Sequence, residues 1–164
     1  EVDSAVLSVL RSAAFINGPE VKAFQAELEH YTGARHVIPC ANGTDALQIA
    51  MMALDLQPGD EVIAPTFTYV STAEVIGLLR LTPVLVDVDP HTYNIDPARI
   101  EAAITPRTRA IVPVHLFGQC ADMAPILEIA RRHNLYVIED NAQAIGAAYT
   151  SPDGTVHQAG TLGD

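Results

Sequence analysis

The chain has no tryptophan, a single lysine (Lys22) and aromatic residues at only 5% of its 164 positions. Against eight arginines stand enough acids to give a formal net charge of −11. That balance argues against a nucleic-acid partner, because affinity for a phosphate backbone rests on clustered positive charge. It leaves room for one bound phosphate, which backbone N–H groups can hold without side-chain charge. The two cysteines, Cys40 and Cys120, are far apart and form no C-x-x-C pair, so neither a disulfide framework nor a zinc site is expected; they read as free thiols in a reducing compartment. No apolar run reaches the ~18 residues of a membrane span. The opening EVDSAVLSVL lacks the basic region of a signal peptide, which makes the cytoplasm the expected location. Neither G-x-G-x-x-G nor G-x-x-x-x-G-K-[ST] occurs, against a dinucleotide fold and a P-loop NTPase.

What is present is aliphatic. Hydrophobic residues make up 49% of the chain, mostly Ala, Val, Ile and Leu, the material of buried parallel strands and packed helices. Two helices are expected first, one capped by Asp3 and one opening at Gly18-Pro19 with Gly33 as its stop. Strands and helices then alternate. Strands are expected at His36–Ala41, Glu61–Ala64, Val84–Val88, Ala110–Val114 and Leu135–Glu139. Between them fall helices at Thr44–Leu54, Tyr69–Leu79, Asp96/Pro97 to Ile104, and from Asp122 to His133-Asn134. Such alternation indicates βαβ units around a mostly parallel sheet. Thr150–Thr155 reads as a hairpin-like turn.

In an open parallel sheet the ligand crevice lies beyond the carboxyl ends of the strands. Four segments lie there. Ala41–Leu47 joins a strand to a helix: Gly43 permits a close approach, and Thr44 and Asp45 open a helix whose free N–H groups suit a phosphate. It reads equally as an ordinary capped turn. Pro65–Thr72 places Tyr69 where it can stack on a flat ring, or sit in the core with its hydroxyl satisfied. Val137–Ala144 runs an apolar strand into Glu139 and Asp140. A carboxylate at such a strand end is costly without a cationic or hydrogen-bonding partner. Asp140 facing a pyridinium nitrogen would supply one; capping the next helix is the alternative. Glu139 points the other way along the pleat and is set aside from the site. In Val112–Gln119, His115 ends a strand and is a candidate for lining a substrate pocket. His115 with Cys120 offers too few ligands for a metal, so none is expected.

Taken in order, these segments resemble the DegT/DnrJ/EryC1/StrS family of pyridoxal-phosphate (PLP)-dependent nucleotide-sugar aminotransferases. The matching stretches include "FINGPEVKAFQAELEHYTG", "ANGTDALQIAMMAL", "PGDEVIAPTFTYVSTAEVI", "ITPRTRAIVPVHLFGQCADM" and "VIEDNAQAIGA". The resemblance implies a fold-type I, aspartate-aminotransferase-like large domain, a three-layer α/β/α arrangement, here incomplete. Residues 1–14 would be an N-terminal helical segment, residues 15–164 a truncated PLP-binding domain, and the C-terminal small domain would be absent. It implies that Gly43, Thr44 and Asp45 hold the PLP phosphate, Tyr69 stacks on the ring, Asp140 pairs with the ring nitrogen and Gln143 bonds the 3′ oxygen. The Schiff-base lysine of the family would fall beyond Asp164, leaving the 164-residue piece inactive by itself. The implied reaction transfers an amino group, usually from glutamate, to a nucleotide-linked keto sugar, giving an amino sugar for surface polysaccharide. The implied assembly is a homodimer. A sugar dehydratase of the same family, with His in place of that Lys, and a non-catalytic regulatory protein of the same fold are the alternatives.

Overall fold

Side-chain alternation along the strands sets the layers. The computed structural model describes residues 1–164. Its main sheet has four parallel strands, β1 (Glu61–Pro65), β2 (Thr82–Val86), β3 (Thr108–Ile111) and β4 (Tyr136–Val137), in the order β2-β1-β3-β4. On one face, Ile63, Ile111 and Val137 pack with Ile100 of α5 (Pro97–Ala103) and with Met123, Ile126 and Ile129 of α6 (Met123–His133). On the other, Val62, Ala64, Ala110 and Val112 pack with Leu47 and Met51 of α3 (Gly43–Ala53) and with Val75 and Ile76 of α4 (Ser71–Leu78). Helices therefore cover both faces, the expected α/β/α sandwich. This explains why β1 reads as a continuous buried run rather than alternating with polar residues. Each large side chain so buried contributes roughly 1.5–3 kcal/mol.

The helix ends follow their sequence signals in most cases. Asp96 caps α5 by accepting the Ala98 N–H at 2.9 Å, with Pro97 at the first helical position. Helix α6 ends at Asn134, which adopts the left-handed conformation (φ 53°). Arg131, Arg132 and His133 occupy its last turn, where positive charge complements the helix dipole. The expected turn at 150–155 joins β5 (Ala148–Thr150) to β6 (Val156–Gln158) in an antiparallel hairpin.

By internal contacts the chain divides into Glu1–Pro39 and Cys40–Asp164. The first unit holds α1 (Val2–Ser12) and α2 (Pro19–Thr32), the latter stopped by Gly33 at φ 72°. No residue of either helix is buried. None of the helices is long and apolar enough to cross a membrane.

Several expectations need correction. Asp3 lies inside the first turn of α1 and is not its cap. Residues 36–41 form no strand; the Val37 N–H donates instead to the Glu29 carboxylate at 3.0 Å. A strand requires a neighbour's backbone as well as its own apolar residues, and the local pattern cannot supply one. Asp122 precedes α6 without capping it, because its carboxylate accepts the Tyr149 hydroxyl at 3.0 Å. Strand β4 is two residues long rather than five, although pairing resumes at a single bridge between Val114 and Asp140.

At the amino end of the sheet, Glu61 is buried yet charged. Its carboxylate accepts the Thr105 and Thr108 hydroxyls and two nitrogens of Arg107, at 3.1 and 2.6 Å. The Thr105 hydroxyl, then the Arg107 guanidinium, hold this carboxyl below its ordinary value against the opposing effect of burial. A depressed carboxylate stabilises the fold fully above the ordinary glutamate value of 4.5 and loses that contribution as pH falls through its lowered folded value. Urea midpoints measured from neutral to acid pH should therefore fall less steeply in Glu61→Gln than in the wild type; parallel acid limbs would refute this role.

Candidate active site

The carboxyl ends of β1, β3 and β4 and the start of α3 surround a cavity of about 260 Å³. Five of the six residues expected to hold a cofactor line it: Gly43, Thr44, Tyr69, Asp140 and Gln143. They come from three separate stretches of chain, brought together by the parallel ladder. No Lys or Arg lines the cavity.

At the start of α3, Asn42 is the cap. Its Oδ1 accepts the Asp45 N–H at 2.9 Å, and its Nδ2 donates to the Asp45 carboxylate at 3.0 Å. Asp45 is thereby occupied at both its amide and its side chain, and it does not line the cavity. The Gly43 and Thr44 N–H groups, in contrast, have no acceptor within the protein. Two unpaired amides at a helix start, with the Thr44 hydroxyl beside them, are donors that could hold an anion without side-chain charge.

Asp140 is fixed through backbone and side chain. Its N–H donates to Pro113 O at 2.9 Å, and its carbonyl accepts the His115 N–H at 3.0 Å. Its Oδ2 accepts the Thr72 hydroxyl at 3.3 Å, and its Oδ1 accepts the Ala142 N–H at 3.2 Å. Thr72 is fully buried under the site, a supporting residue that the sequence reading passed over as part of a helix. Gln143 is oriented by the Phe117 N–H, which donates to its Oε1 at 2.8 Å. That bond fixes which end of the amide is which and leaves Nε2 to donate into the cavity. Tyr69, 70% exposed, stands at the cavity wall and is not the core tyrosine of the alternative reading.

His115 is a correction. The strand-end position points to a substrate pocket, but the side chain is fully buried and does not line this cavity. Its Nδ1 accepts the Ala121 N–H at 3.1 Å, which places the ring proton on Nε2, facing Glu139 at 2.8 Å. Strand-end position alone could not distinguish a residue above the sheet end from one beneath it. An exposed aromatic group that the sequence does not announce is formed by Phe67, Tyr93 and Phe117, with ring centroids 5.5–6.4 Å apart. Phe117 holds a left-handed backbone at φ 57°, a conformation that costs an L-residue roughly 1–2 kcal/mol. No sequence signal marks it, beyond the glycine that follows.

The Asn42 cap can be tested separately from any ligand. Asn42→Ala should lower stability by about 1 kcal/mol in urea denaturation and speed hydrogen exchange at the Asp45 amide. An unchanged Asp45 amide would contradict the capping arrangement.

Comparison with known proteins adds a family. The model of the DegT/DnrJ/EryC1/StrS aminotransferase family matches residues 1–164. A UDP-2-acetamido-2-deoxy-3-oxo-D-glucuronate aminotransferase of Pseudomonas aeruginosa is 56% identical over 149 residues, which is 91% of this chain and 42% of that protein. A pleiotropic regulatory protein of Geobacillus stearothermophilus is 52% identical over 149 residues, 91% of this chain and 40% of that protein. Among solved structures, NtdA from Bacillus subtilis with bound cofactor PMP superposes with a TM-score of 0.85 at 43% identity, covering 87% of this chain and 33% of that one. The chain thus spans about two-fifths of the length of these curated relatives. With the family model matching residues 1–164, the chain belongs to the DegT/DnrJ/EryC1/StrS aminotransferase family.

Proposed function

We propose that this chain forms the PLP cradle of an aminotransferase that converts a nucleotide-linked keto sugar to an amino sugar for surface polysaccharide, with glutamate as the amino donor. The reading rests above all on one observation: Gly43, Thr44, Tyr69, Asp140 and Gln143 line a single cavity. The activity of the Pseudomonas aeruginosa relative supports the substrate class, and the bound PMP of the Bacillus subtilis structure supports the cofactor. A dimeric, cytoplasmic enzyme is part of the same proposal.

The donor set suits PLP group by group. The unpaired amides of Gly43 and Thr44 would take the phosphate, and Asp45 would act through Asn42 rather than by direct contact. Tyr69 would cover the ring face. Gln143 Nε2 would donate to the 3′ oxygen, its Oε1 already being engaged by Phe117. Asp140, held by Thr72 and Ala142, would keep the proton on the ring nitrogen, since an ionised carboxylate favours the charged form of its neighbour. PLP, when bound, supplies the electron sink for moving an amino group. The lysine that exchanges protons with substrate would lie beyond Asp164, as the resemblance implies.

The 52% identical regulatory relative favours a second reading, a protein of this fold with a regulatory role. One experiment decides between them. The full-length protein, given PLP and glutamate, should show a glutamate-dependent change in cofactor absorbance and aminate a nucleotide-linked keto sugar. Asp140→Asn should retain the far-UV spectrum while turnover drops by at least about 10²–10³, the usual cost of removing a preorganised electrostatic contact. Bound PLP with no response to glutamate would favour the regulatory reading; near-normal turnover in Asp140→Asn would refute the role given to that residue.

A further inference from the structure

The cradle leaves one buried acid unused. Glu139 precedes Asp140 and turns to the opposite side of the strand. Its side chain is 3% exposed, where a carboxylate is tolerated only if its lone pairs are filled. They are filled by four donors. Oε1 accepts the N–H groups of Leu162 and Gly163, each at 2.6 Å. Oε2 accepts the Gly160 N–H at 3.0 Å and the His115 Nε2–H at 2.8 Å. Burial works to raise this carboxyl, but the His115 ring and the Gly163, Leu162 and Gly160 amides together outweigh it and leave the group below its ordinary value.

Three of the four donors are backbone amides of one short segment, so the carboxylate dictates a chain path. The segment is also held to β4 at its far end. The Asp164 N–H donates to Val137 O, and the Val137 N–H donates to Asp164 Oδ2, both at 2.9 Å. The approach is too close for side chains: a Cβ on Gly163 would lie 2.5 Å from Val137 O, and one on Gly160 would lie 2.8 Å from Asn141 Nδ2. Asn141 itself donates to Ala159 O at 2.9 Å. Glu139 and Asp140 thus work back to back on one strand end, Asp140 toward the crevice and Glu139 toward residues 160–163.

We infer that Glu139, oriented by His115, is a positioning residue that sets residues 160–164 along the free edge of β4. It thereby fixes, relative to Asp140, the direction from which the chain beyond Asp164 meets the crevice. This last consequence rests on the aminotransferase reading; the clamp itself does not. His115 extends the same connection to the loop at Ala121, so segment, strand end and loop are tied through two buried side chains.

The test uses the full-length protein and two variants that approach the clamp from opposite sides. Glu139→Gln keeps the shape but replaces an acceptor oxygen with an amide nitrogen facing donors. Gly163→Ala leaves Glu139 and His115 intact and pushes the segment away from Val137. In both, hydrogen exchange at residues 160–164 should speed by at least about tenfold while β1 and β3 keep wild-type protection. Turnover should fall about a hundredfold, the consequence of displacing a reacting group by roughly 1 Å. KM for glutamate should stay within about twofold, as for an interaction that matters in the transition state rather than in binding. The double variant should be no worse than the poorer single, because both break one network. Unchanged exchange at 160–164 in Glu139→Gln overturns the inference, and so does faster exchange with wild-type kcat. Should Glu139→Gln also lose protection in β1 and β3, Gly163→Ala decides by the same two criteria. A wild type that ignores PLP and glutamate refutes the aminotransferase reading instead, and the exchange measurement still decides the clamp.

Discussion

The parallel ladder between β1, β3 and β4 does not stop where the regular strands end, and the site depends on that continuation. Val112 N–H reaches Ile63 O, Ile138 N–H reaches Ile111 O, and Asp140 and the Pro113–His115 stretch exchange two further bonds. Backbone pairing therefore runs to the residue that faces the cavity. Fixing a carboxylate by its own main chain leaves its side chain little freedom, and Thr72 and Ala142 take up what remains. The two apolar layers matter to function through this ladder: Ile63 and Ile111 on one face, and Val62, Ala110 and Val112 on the other, hold the strands in register.

Charge imposes the second constraint. Among residues 1–164 no Lys or Arg lines the cavity of a chain at −11, so what they can offer an anion is dipoles. The helix start provides them, and Asn42 arranges which ones. By taking the Asp45 amide and carboxylate, it keeps that negative group occupied and leaves the two preceding amides open. Opposite, the buried acids are each neutralised locally: Glu61 by hydroxyls and Arg107, Glu139 by amides and His115. Acidity is tolerated because every buried carboxylate has its own donors.

Much of this was legible in the sequence where the signal is local. Pro97 after Asp96, Gly33 after the α2 stripe and the apolar run of β1 each carry their reason within a few residues. The crevice residues were legible because a strand-end rule and a family resemblance pointed to the same positions. Apart from Asp3, which is off by a local shift in the helix start, the misses share a cause: they depended on a partner elsewhere in the chain. Residues 36–41 have strand-like composition without a strand neighbour. Asp122 has cap-like chemistry, but Tyr149 claims its oxygen. His115 stands at a strand end, as read, but its ring is claimed by the Ala121 amide and by Glu139. The cost of burying a carboxylate, applied to Asp140, applied with more force to Glu139.

On the proposed function, one cavity, built from the ends of β1, β3 and β4 and the start of α3, would seat a single cofactor. The most direct measurement is a crystal structure of the full-length protein with PLP bound. The phosphate should lie within hydrogen-bond distance of the Gly43 and Thr44 amides, with the Asp140 carboxylate beside the ring nitrogen. A phosphate bound away from the α3 start, or a ring nitrogen facing no carboxylate, would contradict it.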